Sequence, residues 1–192
     1  MTQESRNEEP TRRAATLGAA AAAALALGAG AATLWTRKDI SARLFNPMRL
    51  DHFALGGVEG LAFPDGAMVP ALATADLAGR TSILNLFASW CPSCRDEHAL
   101  LIELAARDVA PIYGVDVKDR AADARAFLRK RGNPYRAVGA DPKGYLQRAL
   151  GARGIPATFV VAPGPVIEIA ILGELDRETI EEKIIPALTR MG

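Results

Sequence analysis

Two cysteines three residues apart constrain this 192-residue chain more than any other feature of its sequence. Cys91 and Cys94 are its only cysteines, and they follow the largely apolar run 83–88, which is predicted to be a buried strand. Pro92 suits the first position of a helix, where its missing N–H leaves no bond unmade. The pair can close a disulfide at the start of that helix, but it cannot supply the four ligands of a structural zinc site.

The start of a helix is a favourable place for an ionised thiol. Its unpaired backbone N–H groups and the positive end of its dipole stabilise the thiolate, which is the form that attacks disulfides. We therefore expect Cys91, at the N-cap, to be the exposed attacking thiol, and Cys94 to resolve the mixed disulfide. The alternative is a purely stabilising bridge, although so small a loop restricts the unfolded chain only weakly.

From this window onward the chain resembles the thioredoxin superfamily, and within it the membrane-anchored thiol–disulfide oxidoreductases of the CcmG/DsbE type. The strings that carry the resemblance are WCPSCRDEH at 90–98, GNPY at 132–135 and GIPATF at 154–159. WCxxC after a strand is typical of the superfamily, and the CRxEH and GNPY matches narrow it to this group. The resemblance implies a thioredoxin-like α/β fold with a central mixed sheet flanked by helices.

It also implies a substrate groove beside the cysteines. Pro156 matches the cis proline that opens a core strand of the fold, faces the cysteines and lends backbone pairing to an extended substrate. Trp90, Pro92, Ile155 and Thr158 would line this groove, with Trp90 as a lid over the disulfide. Two alternatives remain, an ordinary trans proline at a strand start and a tryptophan that simply packs in the core.

Glu97 is the candidate for handling protons at the disulfide. It lies one helical turn beyond Cys94 and matches an acidic residue that relatives of this family use beside their cysteines. A carboxylate there disfavours a thiolate nearby and could exchange the proton that Cys94 gains or loses. The alternative is a solvated glutamate on the helix surface.

Three neighbouring positions qualify the resemblance. Asn85 stands where thioredoxins proper have a buried aspartate, so proton transfer needs another group, and Glu97 is available. Ala157 follows the proline where the family usually has glutamate, which leaves the partner selectivity of this chain open. His98 continues the family string, and we expect it to be a residue of the helix surface rather than a ligand.

The N-terminal part divides into a polar segment, 1–13, an uncharged run, 14–35, and a linker, 36–52, before the thioredoxin-like domain at 53–192. An uncharged run of this length can span a bilayer. Three interpretations compete, of which an uncleaved transmembrane signal anchor is favoured over a cleaved signal peptide with small residues at 29–31. A core helix is disfavoured because the run has no polar face.

Charge is nearly balanced, with 23 basic and 22 acidic residues and a net charge of +1. The absence of a basic stripe or an aromatic platform argues against nucleic acid as a partner. Basic residues flank the uncharged run on both sides, so they do not determine its orientation. The resemblance alone implies a single pass through the inner membrane, with the soluble domain in the periplasm.

Hydrophobic periodicity predicts an alternation of strands and helices after the linker. Strands are predicted at 53–55, 67–72, 83–88, 109–115, 158–161 and 166–171. Helices are predicted at 92–106, 121–131, 143–150 and 177–189.

The resemblance implies a periplasmic reductant in cytochrome c maturation, which keeps the CxxCH cysteines of apocytochromes reduced so that haem can attach. Its partners would be apocytochrome c or a thiol protein of that system, with a transmembrane electron donor of the DsbD/CcdA type. The electrons reside on Cys91 and Cys94, so no cofactor and no metal are expected. We expect a monomer.

Two alternative functions remain open. One is a general periplasmic thiol reductase of the TlpA or ResA kind, serving for instance copper-site assembly. The other is a copper-binding chaperone, which is disfavoured because the cysteines have CxxC spacing and no histidine follows His98.

Overall fold

The structure, a computed structural model, describes residues 47–192. Its strands are β1 (Met48–Arg49), β2 (Ala54–Leu55), β3 (Leu72–Ala73), β4 (Ser82–Phe87), β5 (Ile112–Val117), β6 (Val138–Asp141), β7 (Ala157–Ala162) and β8 (Val166–Leu172). Its helices are α1 (Pro92–Ala106), α2 (Ala121–Arg131), α3 (Tyr145–Ala149), and a C-terminal helix made of α4 (Arg177–Thr179), a π-helical turn (Ile180–Ile184) and α5 (Ile185–Met191).

A six-stranded mixed sheet organises the fold, in the order β1-β8-β7-β4-β5-β6. Strands β4, β5 and β6 are parallel. Strand β7 runs antiparallel to β4, and β8 runs antiparallel to β7. The parallel strands are joined through α1 and α2, as parallel pairs require a crossover. All six residues of β4 are buried, which is expected of a parallel strand covered on both faces.

Each face of the sheet has its own apolar core. We name them after the helix that covers them. The α1 face contains Ile83, Phe87, Leu101, Leu104, Phe127, Leu128, Ile180, Ile184 and Leu188. The α3 face contains Leu72, Leu84, Leu86, Val115, Leu146, Leu150 and Phe159. Strand β4 contributes to both cores because successive side chains of a strand point to opposite faces.

Helices α1 and α2 have the bounds that the sequence predicts, but two strands lie outside the predicted pattern. Strand β6 contains Gly139 and ends at Asp141, residue types that are rare in strands. Strand β1 lies in the stretch predicted as a linker, 36–52, because two residues are too few to show a period. Strand β5 begins at Ile112 rather than Val109, since Pro111 before it has no N–H to donate to the ladder.

The C-terminal helix extends beyond the predicted 177–189 and contains a change of register. At its π-helical turn the N–H of Ile185 donates to the carbonyl of Ile180, five residues back instead of four. Pro186 follows at once, and a proline has no N–H for the usual bond. The wider turn places that proline near the start of a new α-helical segment, where it is tolerated.

The segments predicted at 1–13 and 14–35 lie outside the described residues. Between residues 47 and 192, no helix combines the length and the apolar character needed to cross a membrane.

Candidate active site around the disulfide

Cys91 and Cys94 form a disulfide at the N-terminus of α1, with their Cα atoms 5.3 Å apart. Cys91 is the N-cap, in extended conformation, and Pro92 occupies the first helical position. The Cys91 Sγ accepts a hydrogen bond of 3.2 Å from the backbone N–H of Cys94. The first turn therefore directs an unpaired N–H at this sulfur, as the sequence predicts.

Exposure does not distinguish the two cysteines. Cys91 is 3% exposed and Cys94 is 2% exposed, so the prediction of an exposed Cys91 is wrong for the oxidised form. The α1-face core reaches both residues and covers them. Cys91 differs from Cys94 in its position as the N-cap of α1.

Trp90 is half-exposed and does not belong to the core, which removes the core-packing alternative. Its indole N–H donates to the carbonyl of Lys118 at 3.1 Å, and thereby ties the turn before Cys91 to the loop after β5. Pro92 is exposed beside it. Both rings lie at the surface next to the disulfide, where a groove was predicted.

The Ile155–Pro156 peptide is cis, as predicted. Strand β7 begins at the next residue, and Ala157 pairs with Leu86 near the end of β4. Because β7 runs antiparallel to β4, Pro156 lies at the sheet end from which the chain continues to Cys91. Ile155 is half-buried there.

Thr158 does not line an open groove, because it is fully buried. Its Oγ1 accepts a hydrogen bond of 3.0 Å from the amide of Asn85. These residues pair across β4 and β7, so their side chains lie on the same side of the sheet. The sequence locates Thr158 on the strand, but the alternation of the strand turns it inward.

Asn85 is the centre of a buried polar cluster. Its Nδ2 also donates to Glu97 Oε1 at 2.9 Å, and its Oδ1 accepts from the hydroxyl of Tyr135 at 2.8 Å. Both amide hydrogens and the amide oxygen are thus used, which a buried side chain requires. At the position where thioredoxins proper have a buried aspartate, this chain thus has an amide that donates a hydrogen bond to Glu97.

Glu97 is 1% exposed, so the alternative of a solvated surface glutamate is wrong. Its Oε2 accepts a bond of 2.7 Å from the backbone N–H of Leu175. Burial raises the pKa of Glu97 to about 7, although the bonds from Leu175 and Asn85 oppose that change. A carboxyl one helical turn from Cys94 is therefore poised to gain or lose a proton near neutral pH.

Tyr135, in the GNPY string, is a member of the cluster to which sequence reasoning assigned no role. Its ring stacks on Phe87 at a centroid distance of 4.9 Å and covers Gly114 of β5. A Cβ on Gly114 would come within 2.9 Å of that ring, so the glycine makes room for it. The signal in the sequence is the hydroxyl itself, since a buried tyrosine needs a partner.

His98 is 2% exposed, so its prediction as a surface residue is also wrong. Its Nε2 donates to the carbonyl of Gly132 at 2.9 Å, and its ring meets the edge of Phe127. Burial lowers the pKa of His98, which favours the neutral ring. Within residues 47–192, no group of three or more His, Cys, Asp and Glu side chains is placed to hold a metal ion.

Taken together, the CxxC disulfide at the start of a helix, the cis proline and the mixed sheet define a thiol–disulfide oxidoreductase of thioredoxin-like fold. Comparison with known proteins narrows the class. The family model for Redoxin matches residues 63–184. The chain is 34% identical to the thiol:disulfide interchange protein DsbE homolog of Paracoccus denitrificans, over 76% of this chain and 96% of that one.

It is also 41% identical to the thiol:disulfide interchange protein HelX of Rhodobacter capsulatus, over 70% of this chain and 78% of that one. A crystal structure from Chlorobium tepidum, assigned as a DsbE thiol:disulfide interchange protein, matches with a TM-score of 0.62 and 25% identity. The match covers 76% of this chain and 99% of that one. The chain therefore belongs to the Redoxin family, as a thiol:disulfide interchange protein of the DsbE type.

Proposed function

We propose that this protein reduces disulfides of partner proteins through Cys91 and Cys94. The Cys91 thiolate attacks a partner sulfur and forms a mixed disulfide, and one partner thiolate leaves. Cys94 then attacks Cys91 Sγ, which releases the second partner thiolate and forms the Cys91–Cys94 disulfide. Two electrons pass to the partner, and two protons complete its thiols.

The observation that carries the assignment of roles is the hydrogen bond from the Cys94 N–H to Cys91 Sγ. The same N–H, together with the helix dipole, stabilises a thiolate on Cys91 once the disulfide is reduced. Cys94 lies inside the helix, one turn on, and is placed to attack Cys91 Sγ. We assign the proton of Cys94 to Glu97, its neighbour one turn further.

We assign the contact with partner proteins to residues beside the disulfide. The exposed Trp90 and Pro92 form one side, and the half-buried Ile155 forms the other, next in the chain to the buried Pro156. Thr158 acts from within, by holding Asn85.

The biological role that we propose is the reduction of apocytochrome CxxCH cysteines, or of a thiol protein that serves them, in cytochrome c maturation. The likeness to DsbE and HelX proteins supports it. The uncharged run 14–35 supports a transmembrane anchor in the inner membrane. A linker would join it to a periplasmic thioredoxin-like domain that includes β1. A DsbD/CcdA-type carrier would return the two electrons.

The test uses the full chain and a haem-free peptide whose CxxCH cysteines form a disulfide. We expect the reduced Cys94→Ser protein to accumulate a mixed disulfide with the peptide, because nothing resolves it. Cys91→Ser is the matched control and should accumulate far less. Equal trapping by both variants would contradict the assignment of roles.

Two further experiments test the direction of electron transfer and the identity of the partner. Titration against glutathione should place the couple well below the about −120 mV of a strongly oxidising protein disulfide. A value near that potential would contradict the reductant role. Trapping of peptides with and without the CxxCH histidine at equal rates would favour the general reductase, for which the uncharged Ala157 leaves room.

A further inference from the structure

The turn between β4 and α1, residues 88–91, leads to the first cysteine but lies outside the sheet. Phe87, the last residue of β4, pairs with Asp116 of β5. The residues of the turn belong to no strand, so the ladder that fixes β4 does not reach them. The position of Trp90, which lies at the surface beside the disulfide, therefore depends on contacts from another part of the chain.

The loop after β5 supplies those contacts. Because β4 and β5 are parallel neighbours, both strands end at the same edge of the sheet. In this loop Asp119 binds Ser89 twice: its Oδ2 accepts the backbone N–H at 2.5 Å, and its Oδ1 accepts the hydroxyl at 3.0 Å. The carbonyl of Lys118 accepts the indole N–H of Trp90 at 3.1 Å. We call these three hydrogen bonds the clamp.

The loop is itself held in place. The N–H of Lys118 donates to the carbonyl of Asp141 of β6 at 3.1 Å. Asp119 Oδ1 also accepts the N–H of Arg120, immediately before α2, at 2.8 Å. Lys118 has a φ of 50°, a left-handed conformation that is costly for a residue with a side chain. The clamp therefore ties the turn to a loop whose own shape is imposed by its contacts.

A carboxylate suits the centre of the clamp. Ser89 presents two donors, and a carboxylate accepts at both of its oxygens. Hydrogen bonds to a charged acceptor are also stronger than neutral ones. An amide at position 119 could still accept the N–H of Ser89 through its oxygen, but it would lack the charge and the second acceptor.

We propose that Asp119 is a positioning residue for disulfide exchange, which holds Ser89 and thereby presents Trp90 as a fixed wall of the substrate groove. The proposal rests on the proposed function, because it takes Trp90 to contact partner proteins. A wall that is fixed in advance does not have to be ordered by the partner, which strengthens binding. A small disulfide that reaches only the cysteines gains nothing from it. The clamp thus favours protein disulfides over small ones.

The kinetic test uses the reduced full chain with two substrates, a peptide that carries a CxxCH disulfide and hydroxyethyl disulfide. Asp119→Ala should raise the KM for the peptide about tenfold, the scale of a lost hydrogen bond to a charged group, and should change its kcat and the rate with hydroxyethyl disulfide less than about twofold. Asp119→Asn should recover most of the loss, because it keeps an acceptor for Ser89.

Asp123→Ala is the matched control. It removes an equal charge from the first turn of α2, where the carboxylate lies 3.7 Å from Arg120 and makes no bond of the clamp. Its KM for the peptide should match that of the parent. Three results would overturn the proposal: an unchanged KM in Asp119→Ala, equal losses with both substrates, or an Asp119→Asn protein as impaired as Asp119→Ala.

A second measurement needs no turnover. In the oxidised full chain a Trp35→Phe background leaves Trp90 as the one tryptophan, whose indole N–H is followed by ¹⁵N NMR. Asp119→Ala should speed hydrogen exchange of this group about tenfold, and Asp123→Ala should not. An exchange rate that Asp119→Ala leaves unchanged contradicts the clamp.

If Asp119→Ala does not fold, Ser89→Ala replaces it in both measurements. This variant keeps the backbone bond to Asp119 and loses the hydroxyl bond, so the same shifts should appear at about threefold. Results superimposable on the parent would overturn the proposal. A parent protein that reduces neither substrate contradicts the proposed function, whereas the indole exchange still decides whether Asp119 holds Trp90.

Discussion

The two faces of the sheet bury carboxyl groups in different ways. On the α3 face, Asp141 is 2% exposed and accepts hydrogen bonds from the backbone N–H groups of Tyr145 and Gln147 at the start of α3. Both oxygens of Asp141 thus accept hydrogen bonds from backbone groups a few residues away, so this carboxyl has a structural role. On the α1 face, Glu97 and Asp116 are buried as deeply. Glu97 depends on donors that are distant in sequence, Asn85 and Leu175, which lie 12 and 78 residues away.

The contrast shows that the partners of a buried carboxyl, rather than its burial alone, determine what it can do. Asp116 has an oxygen without a partner and a carboxyl neighbour, and Glu97 has two donors that do not offset its loss of water. Both therefore have pKa values raised to between about 7 and 8. They lie on the face that holds the disulfide, where protons must be exchanged.

The largest effect that we expect is on the apolar α3 face. Leu84→Ala removes a fully buried side chain from β4 and should destabilise the protein by about 2–5 kcal/mol, because the cavity cannot close fully. Urea unfolding at pH 5 and pH 8 measures it. The loss should be the same at both pH values, and a loss that changes with pH would break the contrast between the faces.

Glu97→Gln should change how stability depends on pH. With a pKa raised from 4.5 to about 7, Glu97 contributes stability that is complete below pH 4.5 and is lost as pH rises through 7. This loss is on the order of 3 kcal/mol in the parent and should be absent from the variant. Unfolding free energies from pH 4 to pH 9 measure it.

In the reduced Glu97→Gln protein, the pH profile of thiol alkylation should also move to lower pH, because a negative neighbour is removed. A profile superimposable on that of the parent would show that Glu97 does not act on the cysteines. The part of the pH dependence due to Asp116 should persist in this variant, which separates the two carboxyls.

Tyr135→Phe should have the smallest effect. It leaves Asn85 Oδ1 without its donor and should cost about 1–2 kcal/mol, since the amide stays buried. Tyr145→Phe, on the exposed start of α3, is the matched control and should change stability by no more than about 0.5 kcal/mol. If thermal unfolding shows equal losses of stability for the two variants, the buried polar cluster around Asn85 does not stabilise the protein as we expect.

Local features could be predicted from the sequence alone. The start of α1 follows from Cys91 and Pro92, because an N-cap and a proline at the first position are signals within one turn. The end of α2 follows from Gly132, and the cis peptide from the resemblance at Pro156. Each depends on neighbouring residues, or on a string that stays together in the chain.

Only the tertiary structure decided what surrounds the disulfide. Glu97, His98 and Thr158 are buried, although helix and strand periodicity could place them only on a face, and the cover of that face comes from elsewhere in the chain. Asn85 joins three elements whose separations of 12, 50 and 73 residues leave no local signal. The pKa of Asp116 is raised chiefly because folding buries this residue, which the neighbouring residues do not reveal, and the carboxyl of Asp119, three residues further on, adds to the rise.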